Sequence, residues 1–304
     1  MTTAVSSSSS LSSRAKTWWT ILRISLEERF VYRGDFALGT LMRFLPIITQ
    51  IFLWTAVFAA VEQASTQSGA QASEVASEQS AAGSATTVAG YSLSAMIAYY
   101  LLTMVSRAFS SMPGLASGIA LQVRNGEIKK FLIQPVDMIG FLLLTRMAHK
   151  LAYYTIAILP FAFVFYLCRG YFELGWPDMQ RLVVYVCSLL LAFVLGFFLE
   201  ASIGLISFWF LEVSSLLFVY NLLTFFLSGH MFPLDLLPDI AQQVVTYLPL
   251  HYLAYFPAAV FLEKIPANEM WIGLGVQALW VLAFIGLSRV MLNRGLHRYS
   301  GFGG

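Results

Sequence analysis

Long apolar segments are the feature that most constrains how this chain folds. A helix that crosses the ~30 Å hydrocarbon core of a bilayer needs roughly 20 mostly apolar residues. Segments near or above this length occur at six places: Leu38–Val61, Leu93–Ser110, Leu151–Cys168, Leu182–Ile206, Leu216–Met231 and Met270–Met291. Since 58% of the 304 residues are hydrophobic and 11% are charged, the sequence predicts an all-α, polytopic membrane protein with six transmembrane helices.

The distribution of Lys and Arg predicts how these segments are oriented. With six spans both termini lie on one side, and 13 of the 18 Lys and Arg residues fall on that side. The opposite side holds three, Arg169, Arg181 and Lys264, while Arg43 and Arg107 lie near span ends. Positive residues concentrate on the cytoplasmic side of membrane proteins, so we expect both termini in the cytoplasm. A net charge of +2 gives no indication of nucleic-acid binding.

The segments outside the spans predict a subdivision of the chain. Residues 1–14 are rich in Ser and Thr, which predicts a disordered N-terminus. Residues 15–34 predict an amphipathic helix on the inner membrane surface, or alternatively a soluble tail, with a bend at Gly34 before the six-span domain of residues 35–304. Residues 62–90 contain mostly Ala, Ser, Gln, Thr and Gly and predict a disordered outer loop.

The longest cytoplasmic loop, residues 111–150, mixes charged and apolar residues. Asn125-Gly126 is a common stop for a helix, Pro135 breaks the following piece, and Asp137 is expected to cap the helix that leads into the third span. Apolar side chains in such a loop need a packing partner, either in the protein itself or in another subunit. The centre of the loop contains Arg124, Asn125, Gly126, Glu127, Ile128, Lys129, Lys130, Phe131 and Pro135.

A second unusual loop, residues 232–262, lies on the outer side. It begins with Phe232-Pro233, and Pro238 and Pro249 mark further helix starts. The stretch after Pro249 is apolar but too short to cross a bilayer, and apolar segments of this length favour re-entrant or interfacial helices. We expect residues 236–261 to form an outer re-entrant helical hairpin before the last span.

Glu200 is the deepest ionisable residue in a predicted span, where charges are costly and usually paired or functional. It lies on a row of small residues that includes Gly196 and Gly204, and such a row lets another helix approach closely. Two interpretations remain. Glu200 is part of a packing seam, where it snorkels or pairs with Arg107, or it is a polar group that lines a path across the membrane.

Sequence motifs for catalysis and for metal or nucleotide binding are absent from the chain. It contains no Gly-x-x-x-x-Gly-Lys-Ser/Thr for ATP phosphates, no His-Glu-x-x-His and no paired-Cys metal motif. His230 and His251, with Asp235 and Asp239, have spacings that fit no ligand pattern. We therefore predict no catalytic, cofactor-binding or metal-binding residue.

Short sequences spaced along the chain form an ordered series. They are Tyr32-Arg33-Gly34-Asp35-Phe36, Gly90-Tyr91, Arg124-Asn125-Gly126-Glu127-Ile128, Leu132-Ile133-Gln134-Pro135-Val136, Ser207-Phe208-Trp209, Ser228-Gly229, Phe232-Pro233-Leu234, Leu248-Pro249, Tyr255-Phe256-Pro257 and Arg294-Gly295-Leu296-His297-Arg298-Tyr299. In this order they resemble the type-2 ATP-binding-cassette (ABC) permeases, in particular the bacterial ABC-2 family transporter proteins. The resemblance covers Tyr32 to the C-terminus except the outer loop at residues 62–90, which is longer than is usual in that family.

The resemblance implies the membrane-spanning permease subunit of an ABC exporter in the bacterial plasma (inner) membrane. Such a subunit forms the translocation path as a dimer, with a second copy or a related permease, and surrounding lipid. A separate cytoplasmic ATPase subunit binds ATP and Mg²⁺, so this chain would bind no cofactor and would not be an enzyme itself. The alternatives from other classes are a secondary transporter and a membrane-embedded enzyme, for which internal repeats or converging polar residues would be expected.

The resemblance also implies a role for the loop between the second and third spans. In such exporters this loop carries the coupling helix, which here corresponds to Ile119–Pro135. Arg124, Glu127, Lys129 and Lys130 would then make polar contacts with the ATPase, and Ile128 and Phe131 would make the apolar contact.

Overall fold

A computed structural model describes residues 9–31, 33–72, 87–134, 136–172, 175–210 and 212–299. Within these ranges the chain is helical and has no β-strand, which confirms the predicted all-α class. The α-helices are α1 (Ser9–Val31), α2 (Arg33–Ala72), α3 (Leu93–Ser110), α4 (Leu115–Arg124), α5 (Lys129–Ile133), α6 (Met138–Leu167), α7 (Met179–Leu205), α8 (Ser214–Leu227), α9 (Asp239–Thr246), α10 (Tyr255–Phe261) and α11 (Ala267–Arg298). Short 3-10 helices cover Arg169–Tyr171, Ile206–Phe208, Leu234–Leu236 and Pro249–Leu253.

Five helical segments in the described part of the chain are long and apolar enough to cross a bilayer. They are Phe44–Ala64, Leu93–Arg124, Met138–Leu167, Met179–Phe208 and Ala267–Arg298. The expected fifth span is instead the 14-residue α8. At 1.5 Å per residue α8 is ~21 Å long, which is less than the hydrocarbon core.

Helices α7 and α11 run side by side in the same direction. Gln277 Nε2 of α11 donates a hydrogen bond to the Ser188 carbonyl of α7 at 3.0 Å. Further along both helices, Gly295 of α11 lies against the ring of Phe208, just after α7. Since the two helices are parallel, the chain must run from the end of α7 back to the level at which both helices begin. α8 together with residues 228–266 covers this distance.

Helices α3 and α4 pack on α7, and the other long helices pack on α3 and on one another. α3 and α4 run parallel to α7, because Gly196 lies against the Ser110 carbonyl and Gly204 against that of Ala116. α6 runs the opposite way along α3, because Arg146 donates to the Pro113 carbonyl and Tyr154 to that of Ala108. α1 packs along α6, and α2 contacts α3 and α6. The helices therefore form one bundle in which α3 joins α7 and α11 to α2 and α6.

The N-terminal helix boundaries differ from the predicted ones. α1 begins at Ser9, inside the segment expected to be disordered, and residues 1–8 lie outside the described residues. α1 ends at Val31 and α2 begins at Arg33, so Gly34 lies within α2; residue 32 lies outside the described residues. α2 also continues to Ala72 through part of the expected disordered loop, because Ala, Gln and Glu readily extend a helix that already exists. Residues 73–86 lie outside the described part.

Several helix boundaries and one helix cap predicted for the two unusual loops are confirmed. α3 has the predicted bounds, α4 ends just before Asn125, and Asp137 caps α6 by accepting the Gly140 N–H at 2.6 Å. Pro135 lies outside the described residues. In the outer loop, Pro238 directly precedes α9 and Pro249 opens a 3-10 helix. Every residue of α10 is buried, in contact with α3 and α7.

Candidate functional site

The segment from α4 to α5 lies at one end of the bundle. Its buried residues Ile119, Val123 and Ile128 pack in one cluster with Phe208 and Leu292, which follow α7 and belong to α11. This packing fixes the segment to the ends of two long helices.

The turn between α4 and α5 depends on Gly126. Its φ angle is +76°, a left-handed value that glycine adopts without steric cost. A Cβ built on Gly126 would lie 3.4 Å from the Tyr299 hydroxyl oxygen, at the end of α11. The backbone angle therefore favours glycine at this position, and the Tyr299 contact is at an ordinary van der Waals distance.

The outward surface of this segment carries basic and apolar side chains. Arg124, Lys129 and Lys130 are exposed. Leu132 and Ile133 are 56% and 83% exposed. We call these five residues the coupling surface, after the role that the family resemblance implies for this loop. The ion pairs within reach, such as Arg124 with Glu212 at 3.5 Å, are themselves exposed and so contribute little to stability.

The structure contradicts one expectation for this segment. Ile128 is 0% exposed and belongs to the core of this chain, so it does not present an apolar contact to a partner. Phe131 is partly buried and packs near Phe141, with 5.5 Å between the ring centroids. The exposed apolar pair is Leu132 and Ile133 instead. The exposed apolar surface of this loop therefore lies at the end of α5, a few residues after the predicted position.

A break separates α3 from α4, and two cations hold its carbonyl groups. Lys150, a buried residue of α6, donates to the Ser111 carbonyl at 2.7 Å and also to the Ala108 carbonyl. Arg146, one turn earlier on α6, donates to the Pro113 carbonyl at 2.9 Å. Carbonyls at the end of a helix lack intrahelical partners, and cations are favoured there. The α3–α4 break is thus tied to α6.

Glu200 of α7 holds the same break from the other side. Its Oε1 atom accepts the Met112 N–H at 3.2 Å, and the positive charges that act on it include those of Arg146 and Lys150. Gly196 and Gly204, one turn before and after Glu200, let α3 and α4 approach α7 closely. Glu200 therefore lies in a packing seam and contacts the break between two helices.

Glu200 also lines a cavity. The cavity has a volume of about 730 Å³ and is lined by residues of α2, α3, α7, α8 and the α3–α4 break. Arg107 and His230 line it together with Glu200, and Arg107 donates a hydrogen bond to His230 Nε2. The two interpretations of Glu200 are therefore compatible, because one residue contributes to the seam and to the wall of the cavity.

The family of the chain follows from a comparison with known protein families. A family model described as ABC-2 family transporter protein matches residues 81–303. The match spans most of the chain and includes the coupling surface, the seam and the outer loop. The chain belongs to the ABC-2 transporter family. It is an ABC transporter permease, a multi-pass component of membrane transport. No curated protein matches the permease.

The outer loop of the permease is fastened to α3 by a carboxylate that sequence analysis missed as a structural centre. Asp235 accepts hydrogen bonds from the hydroxyls of Tyr91 and Tyr255, each at 2.6 Å. Burial raises the pKa of the Tyr91 hydroxyl, so this hydroxyl keeps its proton and donates. Gln242 Nε2 also donates to the Asp235 carbonyl, at 2.9 Å. The only sequence signal was an Asp in an otherwise apolar stretch between two prolines.

The polar residues of the permease do not assemble a metal site in the described ranges. There, no group of three His, Cys, Asp or Glu residues is placed so that it could hold a metal ion. His230 contacts Arg107, while His251 packs among the rings of Tyr252, Tyr255 and Phe256.

Asp137 ties the start of α6 to α11. It pairs with Arg289 in addition to capping α6. Burial acts to raise the pKa of Asp137, but the hydrogen bonds from Arg289 and from the Gly140 N–H outweigh burial, so its pKa is lowered. The group is therefore a carboxylate at neutral pH. This end of the bundle combines the pair, the α3–α4 break and the coupling surface.

Proposed function

We propose that this permease is the membrane subunit of an ABC exporter, that it works as a dimer, and that a separate cytoplasmic ATPase drives it. ATP and Mg²⁺ would be bound by that ATPase. The observation that carries the proposal is the coupling surface, where two exposed apolar side chains stand beside three exposed cations. Exposed apolar side chains next to charges are typical of a surface that packs against another protein.

The arrangement of the helices supports six crossings of the membrane. α7 and α11 are parallel, so a return crossing must lie between them, and α8 with the segment that follows it supplies this crossing. Residues 228–262 would then re-enter the outer leaflet and span the part of the bilayer that α8 is too short to cross. The cytoplasmic ends are those near the coupling surface, where most Lys and Arg residues lie. We therefore propose that both termini lie in the cytoplasm and, from the family, that the permease lies in the bacterial inner membrane.

The contacts of the α4–α5 segment provide a route for the coupling. Movement of α4 would be passed to α7 through the seam at Gly204, and to α3 and α6 through the break held by Lys150 and Glu200. These contacts adjoin the cavity, whose access would change with the positions of the helices. ATP binding to the partner ATPase shifts the equilibrium between two conformations of the transporter. The size of the shift is set by how much more tightly ATP binds to one conformation than to the other.

The test uses the permease with its ATPase, identified as the P-loop protein that copurifies with it, in proteoliposomes. Ile133→Asp places a charge in the apolar part of the coupling surface. We expect it to abolish the increase in ATP hydrolysis that the permease causes, because burying an unpaired charge in an interface is costly. Lys129→Glu with Lys130→Glu should have the same effect.

The matched control is Ile240→Asp. Ile240 is 80% exposed, close to the 83% of Ile133, but it lies in α9 of the outer loop. This variant should stimulate the ATPase as the natural permease does. Undiminished stimulation by Ile133→Asp and by the double Glu variant would remove the coupling assignment.

A further inference from the structure

The cavity beside the α3–α4 break has the size of a ligand site. Its volume of about 730 Å³ lies within the range of roughly 300–1,000 Å³ that small-molecule sites occupy. The walls come from several elements: Gln50 from α2, Arg107 from α3, Glu200 from α7 and Asn221 from α8. A pocket built from four helices, with convergent polar groups on each, differs from an ordinary packing gap, which is apolar and small.

One side of the cavity offers hydrogen-bond donors. Arg107 donates to His230 Nε2, and because arginine only donates, the ring proton of His230 lies on Nδ1. His230 Nδ1 is buried and has no hydrogen-bond partner among the described residues. A guanidinium carries five N–H donors in a planar fork that matches carboxylate and phosphate groups. Arg107, held by His230, therefore suits an anionic group.

The other side of the cavity offers an acceptor. Glu200 uses Oε1 for the Met112 N–H, and an ionised carboxylate has about four lone-pair sites. Arg146 and Lys150 lie near Glu200 but do not line the cavity, so they leave the space in front of its carboxyl group open. A carboxyl group at such a position suits an amine.

The remaining wall is apolar and adaptable. Met42, Met104, Leu217 and Phe225 line the same cavity. Methionine is flexible and polarisable, and it accommodates ligands of irregular shape. A small polar molecule would leave this wall unused, whereas a molecule with a hydrocarbon part would cover it.

We propose that this cavity binds an amphipathic molecule whose head carries both an anionic group, such as a phosphate, and a primary amine. Arg107, positioned by His230, binds the anionic group, Glu200 binds the amine, and the apolar wall contacts the hydrocarbon part. Only the identification of this molecule as the transported cargo rests on the proposed function. Binding itself requires neither the ATPase nor transport.

The test is a competition assay with the purified permease in a non-ionic detergent. The labelled probe is lysophosphatidylethanolamine with a fluorescent acyl chain, which carries phosphate, amine and hydrocarbon. The competitors are unlabelled lysophosphatidylethanolamine, lysophosphatidate, dodecylamine, and glycerophosphoethanolamine, which lacks the chain. We expect the first to compete at about tenfold lower concentration than each of the other three, because each of them lacks one of the three contacts.

Two variants separate the contributions of the charges. Arg107→Gln should remove the preference for lysophosphatidylethanolamine over dodecylamine, and Glu200→Gln should remove the preference over lysophosphatidate. Glu200→Gln keeps an oxygen that accepts the Met112 N–H, so it preserves the packing of the break. Arg298→Gln, a charge change at the far end of α11, is the control and should change neither preference.

The result that overturns the proposal is also specific. Equal competition by all four molecules, or preferences that survive both variants, would show that the cavity does not recognise a head with two charges. Equal potency of glycerophosphoethanolamine would show that the apolar wall takes no part. These outcomes are independent of the Ile133→Asp experiment, so failure of the ligand site and failure of the coupling assignment are distinguishable.

Discussion

Gly204 shows how a single residue determines the distance between two helices. A Cβ built on Gly204 would lie 2.8 Å from the Ala116 carbonyl oxygen and 2.9 Å from Ile119 Cβ. Both neighbours are backbone or close to it, so they cannot move aside without shifting α4. We expect Gly204→Ala to destabilise the permease by about 1–3 kcal/mol, the usual cost of overpacking. The midpoint of thermal unfolding in detergent measures this effect.

The control for Gly204→Ala is another helical glycine. Gly286 lies within α11, and a Cβ there would have no heavy atom within 4 Å. Gly286→Ala should therefore leave the midpoint unchanged or raise it, since alanine stabilises a helix by up to about 1 kcal/mol relative to glycine. Equal shifts in the same direction would show that helix propensity, and not close packing, governs both positions.

Residues whose role is local were predictable from the sequence, and those with distant partners were not. Asp137 and Gly126 act on the backbone next to them, as a cap and a turn, and both follow from short patterns. Ile128 could not be placed, because whether it packs inward or faces a partner depends on Phe208 and Leu292, far along the chain. Lys150 lay in the predicted loop, but its two backbone acceptors become visible only when α6 is placed on α3.

Among the elements, the outer loop depends on a contact that its own sequence does not contain. Asp235 joins it to Tyr91, which precedes α3, and to Tyr255 of α10. Asp235→Asn leaves one side-chain acceptor for two tyrosine hydroxyls, so one buried donor loses its partner. We expect a loss of about 1–3 kcal/mol. Hydrogen exchange should show weaker protection of residues 228–262, and thermal unfolding should show a lower midpoint.

Asp239→Asn is the matched control for the outer loop. Asp239 opens α9 and is exposed, so its change from carboxylate to amide alters the charge without removing a buried acceptor. Its effect should stay below about 0.5 kcal/mol, as is usual for exposed positions. If the two substitutions weaken protection of residues 228–262 equally, the tyrosine contacts do not fasten the loop.

The differences between predicted and observed elements have physical causes. Hydropathy detects long apolar segments, so it predicted α3, α6, α7 and α11. It also predicted that α8 and the residues after it form a single span, whereas α8 ends at Leu227. The chain leaves the helix at Ser228 because the Tyr99 and Tyr100 hydroxyls bind the carbonyls of Gly229 and Met231. In α2, a composition that suggests disorder continues a helix that the preceding apolar residues have already formed.

For the whole molecule, the six-crossing topology that we propose agrees with the charge pattern and with the helix directions. An even number of crossings puts the basic residues before α2 and after α11 on one side. The parallel arrangement of α7 and α11 means that the chain returns between them, although α8 alone is too short to cross a bilayer. The proposed topology puts the coupling surface and Trp176 on opposite sides of the membrane.

Cysteine labelling tests this topology directly. In a background with Cys168→Ala and Cys187→Ala, Lys130→Cys should resist a membrane-impermeant maleimide on cells with an intact inner membrane and react after lysis. Trp176→Cys is the control at the other end, where Trp176 is 84% exposed, and it should react without lysis. Labelling of Lys130→Cys on intact membranes would place the coupling surface outside the cell. No cytoplasmic ATPase could then reach it, and the assignment of both termini to the cytoplasm would fail with it.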